Sequence, residues 1–156
     1  KNDFLTSFAQ RYKRFKTNLE QYQFTDIIRL ADIDSIINGA VPIPGAYVLG
    51  AEAQYYSAEA YLLHLRSILY LLEHRSNYNV VLRKPEDTDN VVIYVKEGSC
   101  AILALAGAPF SVFEVSERHL VDAFVENLRR QIPLEPSPEQ YKRSVIMEIE
   151  SLIERV

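Results

Sequence analysis

SAEAYLLHLRSILYLLEHRSNYNVVLR, residues 57–83, contains the change of period on which the fold class turns. Its first two thirds carry Tyr61, Leu62, Leu65, Ile68, Leu69 and Leu72 at the three- and four-residue spacing of one helical face. Ser57 is placed to cap the helix, Glu59 suits the positive end of the helix dipole, and His74 and Arg75 suit the negative end. These signals predict a helix over about 57–75. Leu63 and Leu71 fall outside the main stripe, which predicts burial on more than one side. After Ser76-Asn77 the apolar residues become consecutive and β-branched, so 78–83 reads as a strand.

The same strand chemistry recurs at 91–96, 100–106 and 110–115, separated by Lys96-Glu97-Gly98-Ser99 and Ala106-Gly107-Ala108-Pro109. Glycine-containing turns between short apolar runs predict a three-stranded antiparallel meander, with 78–83 and 46–49 added at an edge. Cys100 and Ile102 to Leu105 are nearly all apolar, which predicts a central strand covered on both faces. The expected fold is α+β. It has a central, largely antiparallel sheet of about four to five strands, helices packed on its faces, and long amphipathic terminal helices.

Upstream, Phe24 to Leu30 reads as a strand or as a helix capped by Thr25; the strand is the favoured reading. A short helix from Asp32 to Asn38 then stops at Asn38-Gly39, a pair suited to left-handed backbone. A loop-rich belt with Pro42, Pro44, Gly45 and Gly50 leads into the helix at 57. Before all of this, Phe4, Phe8, Tyr12, Phe15, Leu19 and Tyr22 follow a helical rhythm that predicts an amphipathic helix over 3–22. Downstream, Ser116 is the expected cap of a helix over 117–131 that buries Leu120, Val121, Phe124, Val125 and Leu128. Ser137-Pro138-Glu139-Gln140 combines a capping box with proline at the first helical position, and Tyr141, Val145, Ile149, Leu152 and Val156 continue as a seam. The chain divides into a connector helix (1–23), a sheet-and-helix core (24–131) and a C-terminal helix (137–156), forming one domain. The two terminal seams are longer than one small domain needs, which predicts that they pack together in a homodimer.

A chain of 156 residues, 48% hydrophobic and 24% charged, is of ordinary globular composition and long enough to build a core. Cys100 is its one cysteine, so an intrachain disulfide is excluded. No run of about 18 apolar residues exists that could span a membrane. A cytoplasmic location with no membrane partner is expected. Net charge is −4, but residues 1–23 carry +3, which leaves −7 on the remainder. An acidic body repels phosphate backbones, so DNA contact is expected only through another segment. The chain starts at Lys1 and its only methionine is Met147, so a preceding segment carrying such a DNA reader is expected.

Motifs of catalysis are lacking. There is no G-x-S-x-G elbow, G-x-G-x-x-G or Walker sequence, and His64, His74 and His119 do not stand at metal-ligand spacing. Cys100 has no basic neighbour in sequence and reads as packing. The acid pairs Asp32/Asp34 and Glu86-Asp87-Thr88-Asp89 read as solvated turns. His64-Leu65-Arg66 falls short of the His-x-Lys that phospholipase D-type phosphoryl chemistry needs, because Arg replaces lysine poorly there. Ten tyrosines and no tryptophan do stand out, with Tyr47, Tyr55, Tyr56 and Tyr61 bracketing the belt where it enters the best-signalled helix. Rings with polar tips suit a half-wet ligand pocket or a protein interface. Tyr55, Tyr56, Tyr61, His64 and Arg66 are the candidate ligand-facing residues; no metal or cofactor is expected.

The run Tyr61-x-x-His64-Leu65-Arg66-x-Ile68-Leu69-x-Leu71-Leu72 with Asn77-Tyr78-x-Val80 resembles the C-terminal regulatory domain of bacterial helix-turn-helix transcription regulators. The strand pair 91–96 and 100–105, with Phe113 and the helix containing Leu120 and Phe124, is similar too, so the likeness covers about 24–131. It implies a non-enzymatic sensing and dimerising module that binds an unknown small molecule. The alternatives are a protein-interaction or scaffold domain without a small ligand, and a small hydrolase built on His64 with Asp32 or Asp34.

Overall fold

The computed structural model describes residues 13–14, 17–18, 20–43, 54–83, 91–105, 111–131 and 137–156. The described part of 13–21 is helical and its side chains are exposed. The rest of the predicted 3–22 helix, the predicted strand 46–49, the acidic turn 86–89 and the turn 106–109 lie outside the described residues.

The described sheets are three small ones. Strand β1 (Phe24–Ile28) pairs in parallel with β4 (Tyr78–Leu82), in the register Phe24↔Tyr78, Asp26↔Val80 and Ile28↔Leu82. Between them come helix α1 (Ile33–Ile37), a short antiparallel hairpin of β2 (Val41–Pro42) and β3 (Tyr55–Tyr56), and helix α2 (Ala58–His74). Strands β5 (Val91–Lys96), β6 (Cys100–Leu105) and β7 (Ser111–Val115) form an antiparallel meander. Helices α3 (Arg118–Arg130) and α4 (Pro138–Arg155) follow.

The expected single central sheet of four to five strands is thus replaced by separate sheets. The element at 78–82 leaves the meander and joins β1, because a parallel pair takes a crossover connection and the α1–α2 segment supplies one. That pairing also settles 24–28 as a strand. β6 does sit centrally, and alternation places the buried Ala101 and Ala104 on opposite faces, while Ile102, on the Ala104 face, is 38% exposed. Tyr94, Ile102 and Val112 on one face of the meander reach solvent, as does Phe113 on the other, and α3 packs on β5 and β6.

The helix ends follow their side-chain chemistry. The Asp32 carboxylate accepts from the Ser35 N–H (2.8 Å) and the Ser35 hydroxyl (2.7 Å), capping α1, and Gly39 takes the left-handed φ of 62° just after it. The Ser57 hydroxyl accepts from the Ala60 N–H to start α2. At α3 the cap is Glu117 rather than the expected Ser116: its carboxylate accepts from the Leu120 N–H at 2.9 Å. Of the residues expected to be buried, Val121 is, Phe124, Val125 and Leu128 are half-buried, and Leu120 is largely exposed. The capping box of α4 forms as predicted, with Ser137 and Gln140 each bonding the other's backbone.

The main core lies between α2, α4 and the β1–β4 pair. Leu65, Ile68 and Leu72 of α2 meet Val145, Ile149 and Leu152 of α4, with Tyr78 and Val80 beneath and Ile36 and Val41 closing one end. The α4 seam residues Val145, Ile149 and Leu152 thus pack within this core. Lys142 ties the same helix to the start of β4 by donating to the carbonyls of Arg75 (2.9 Å) and Tyr78 (3.2 Å). Leu71 packs on this core, but Leu63 is exposed, so α2 buries one broad face only.

Candidate functional site

Alternation along β1 places Phe24, Asp26 and Ile28 on one face, and Phe24 and Ile28 pack against the core. Asp26 is therefore a carboxylate on an apolar face. Its partner is supplied by the neighbouring strand: the Tyr78 hydroxyl donates to Asp26 Oδ2 at 2.5 Å. Burial pushes the Asp26 carboxyl above its usual range, while the Tyr78 bond and the nearby His64 imidazole pull it back down. The Tyr78 phenol is driven far above its usual value by burial and by the Asp26 charge, so it remains a donor.

His64 projects from α2 towards the hairpin. Its ring stacks on Tyr56 of β3, centroids 5.6 Å apart and planes 16° apart, and tilts against Tyr61 at 6.5 Å. Tyr56 and Tyr61 are themselves 5.8 Å apart. Part of the imidazole reaches solvent, yet its packed surroundings lower its pKa, and the Asp26 charge opposes that shift. Burial raises the phenols of Tyr56 and Tyr61. The structure thus brings together three of the five sequence candidates, Tyr56, Tyr61 and His64. Tyr55 points out from the two-residue strand, and Arg66 lies on the exposed side of α2. Asp26 and Tyr78 were missed as site residues, although the Phe24/Asp26/Ile28 alternation was the available signal. Of the two acids expected beside His64 in a hydrolase, Asp32 or Asp34, Asp32 is committed to capping α1.

Tyr61 links this cluster to a cleft. Its buried hydroxyl accepts the Ala31 N–H at 3.0 Å, and Ala31 lies just past the carboxyl end of β1. Here opens a cleft of about 500 Å³. Leu30, Ala31, Ile33 and Leu152 give it apolar walls; Asp32, Asp34, Glu148 and Arg155 give it charge. The bonds from Ser35 hold the Asp32 carboxyl below its usual range, so it stays ionised. A second, more polar cleft of about 420 Å³ lies between residues 20–23 and 74–77, crossed by the Arg75–Glu20 ion pair.

Among the described residues, no group of three or more His, Cys, Asp or Glu is placed to hold a metal ion. Cys100 is half-buried in β6. No helix among the described residues is long and apolar enough to cross a membrane. No protein-family model matches the chain, and no curated protein or solved structure matches it significantly.

Proposed function

We propose that this chain is a non-enzymatic regulatory domain that senses a small organic cation in the cleft beyond β1. The observation that carries the reading is the placement of that cleft. It lies at the carboxyl end of a parallel strand, the usual ligand position in sheets with helical crossovers, and one hydrogen bond joins it to the Tyr61–Tyr56–His64 cluster. Its volume suits a small molecule. Three carboxylates against one guanidinium favour a cation, and the apolar walls favour a hydrocarbon body. In this reading Tyr56, Tyr61 and His64 register occupancy through Ala31 and do not grip the ligand themselves. Output through a homodimer and through DNA binding by another segment belongs to the same proposal. The charge of −7 over residues 24–156 supports leaving DNA contact to a different segment.

The test is calorimetry with alkylguanidinium and alkylammonium salts, using alkyl carboxylates of equal length as controls. The cations should bind and the carboxylates should not, and Asp34→Asn with Glu148→Gln should abolish the difference. Equal behaviour of both series would defeat the assignment. A second reading, a protein-interaction domain, is supported by the exposed side chains of Tyr94, Ile102 and Val112 on the meander.

A further inference from the structure

We infer that β1 is a strand-addition edge whose occupant is the β1 strand of a second copy of this chain, paired antiparallel about Ile27 so that the two β1–β4 pairs join into one sheet. The pairing is independent of the cleft, and it gives the homodimer of the regulatory reading its interface.

The phase of the β1–β4 ladder decides which peptide groups of β1 are free. The Phe24 N–H donates to the Asn77 carbonyl at 2.8 Å, and the Arg83 N–H donates to the Ile28 carbonyl at 2.8 Å. Phe24, Asp26 and Ile28 therefore turn their peptide groups to β4. By alternation Thr25 and Ile27 turn theirs to the opposite side, and Arg29 continues the phase. Among the described residues nothing bonds the peptide groups of Thr25, Ile27 and Arg29. Thr25 and Arg29 are exposed and Ile27 is half-buried. The far edge of β4, in contrast, is closed. There the Tyr78 N–H donates to the Arg75 carbonyl at 3.4 Å, the Tyr78 carbonyl accepts from the Lys142 ammonium at 3.2 Å, and the Leu82 N–H donates to the Tyr141 hydroxyl at 3.1 Å. Sheets usually have more than two strands, and a bare edge is a template for the next one.

The side chains select the strand that fits. Phe24–Ile28 contains no lysine or proline, the residues that commonly guard an edge against pairing. Its one charge is Asp26. A second β1 centred on Asp26 would set the two carboxylates directly opposite each other, a repulsive pair. Centred on Ile27, the same strand engages Thr25, Ile27 and Arg29 together. Ile27 then meets the partner's Ile27 at the two-fold axis, Thr25 meets the partner's Arg29, and Asp26 meets the partner's Ile28. No like charges face each other in this register. Every outward donor and acceptor over 25–29 finds its counterpart in an identical strand, so the edge is its own complement and closes as a symmetric pair.

The experiment is sedimentation velocity of the intact chain from micromolar to near-millimolar protein, with Thr25→Glu and Thr25→Lys beside the wild type. Thr25 is exposed, and Glu and Lys are both poor strand residues, so strand propensity does not separate the two variants. The wild type should reach a dimer. Thr25→Glu sets a carboxylate against the partner's Arg29 at both symmetric positions and should tighten the dimer by about 2- to 30-fold, while Thr25→Lys should weaken it by a similar factor. Combining Thr25→Lys with Arg29→Glu should restore it. Amide exchange at Ile27 in the wild type should slow as protein concentration rises. A wild type that stays monomeric would leave the edge to a foreign strand and overturn the proposal. Equal effects of the two Thr25 variants, or Ile27 exchange that ignores concentration, would place any dimer interface elsewhere and overturn it too.

Discussion

Tyr78→Phe isolates one atom of the Asp26 cluster. The Tyr78 ring is 2% exposed and stacks on Phe24 with centroids 6.1 Å apart, and phenylalanine keeps that packing. Only the hydroxyl that donates to Asp26 is lost. A hydrogen bond to a charged acceptor contributes about 1.5–3 kcal/mol when its acceptor is left behind. Asp26 is half-buried, so water replaces part of the bond and the cost falls near the lower end, about 1.5 kcal/mol. In a domain of this size that lowers Tm by about 3–6 °C. Since the Tyr78 bond favours the carboxylate, its loss should cost most at neutral pH and progressively less as Asp26 takes up its proton on acidification. Replacing both partners, as Asp26→Leu with Tyr78→Phe, removes the stranded carboxylate and should recover much of the loss. Urea unfolding at pH 7 and near pH 4, with the m-value unchanged, measures all three effects. Wild-type stability of Tyr78→Phe at pH 7, or an equal cost at both pH values, would refute the reasoning.

Ile149 is fully buried between α2 and α4, so Ile149→Ala should cost about 2–5 kcal/mol in urea unfolding, and a loss under about 1 kcal/mol would mean that the core is placed wrongly. Ser137→Ala removes the hydroxyl half of the α4 capping box and should cost about 1 kcal/mol, with fraying of the first turn visible as faster amide exchange at Gln140. Gly98 has φ 69° and nothing within 4 Å of where a Cβ would stand, so Gly98→Ala should cost about 1–2 kcal/mol through backbone strain alone, and Gly98→Asn should cost less.

Local elements were legible in the sequence because their signals are local. The α2 stripe and its Ser57 cap, the Ser137–Gln140 box, the Asn38-Gly39 stop and the Gly98 turn each depend on a few neighbouring residues, and each is found where the spacing puts it. Strand partnership is not local. Tyr78–Leu82 has the composition of a meander strand, and nothing in its own residues says that it pairs with Phe24–Ile28 more than 50 positions away. That misassignment concealed the site as well. With 24–30 unsettled between helix and strand, Asp26 had no defined face, and only the parallel register puts its carboxylate beside Tyr78. The stacked group of Tyr56, Tyr61 and His64 was within reach because two of its members share a helix face and the third directly precedes the Ser57 cap.

Sensing in the cleft depends on the hydrogen bond that joins it to the aromatic cluster. The direct measurement is the response of the Ala31 amide and the Tyr56 ring resonances as an alkylguanidinium salt is titrated into the intact chain, repeated with Tyr61→Phe. Both probes should show saturating shifts, with Ala31 still responding and Tyr56 silent once the Tyr61 hydroxyl is gone. No shift at Ala31 at saturating salt, or a Tyr56 response undiminished in Tyr61→Phe, would contradict it.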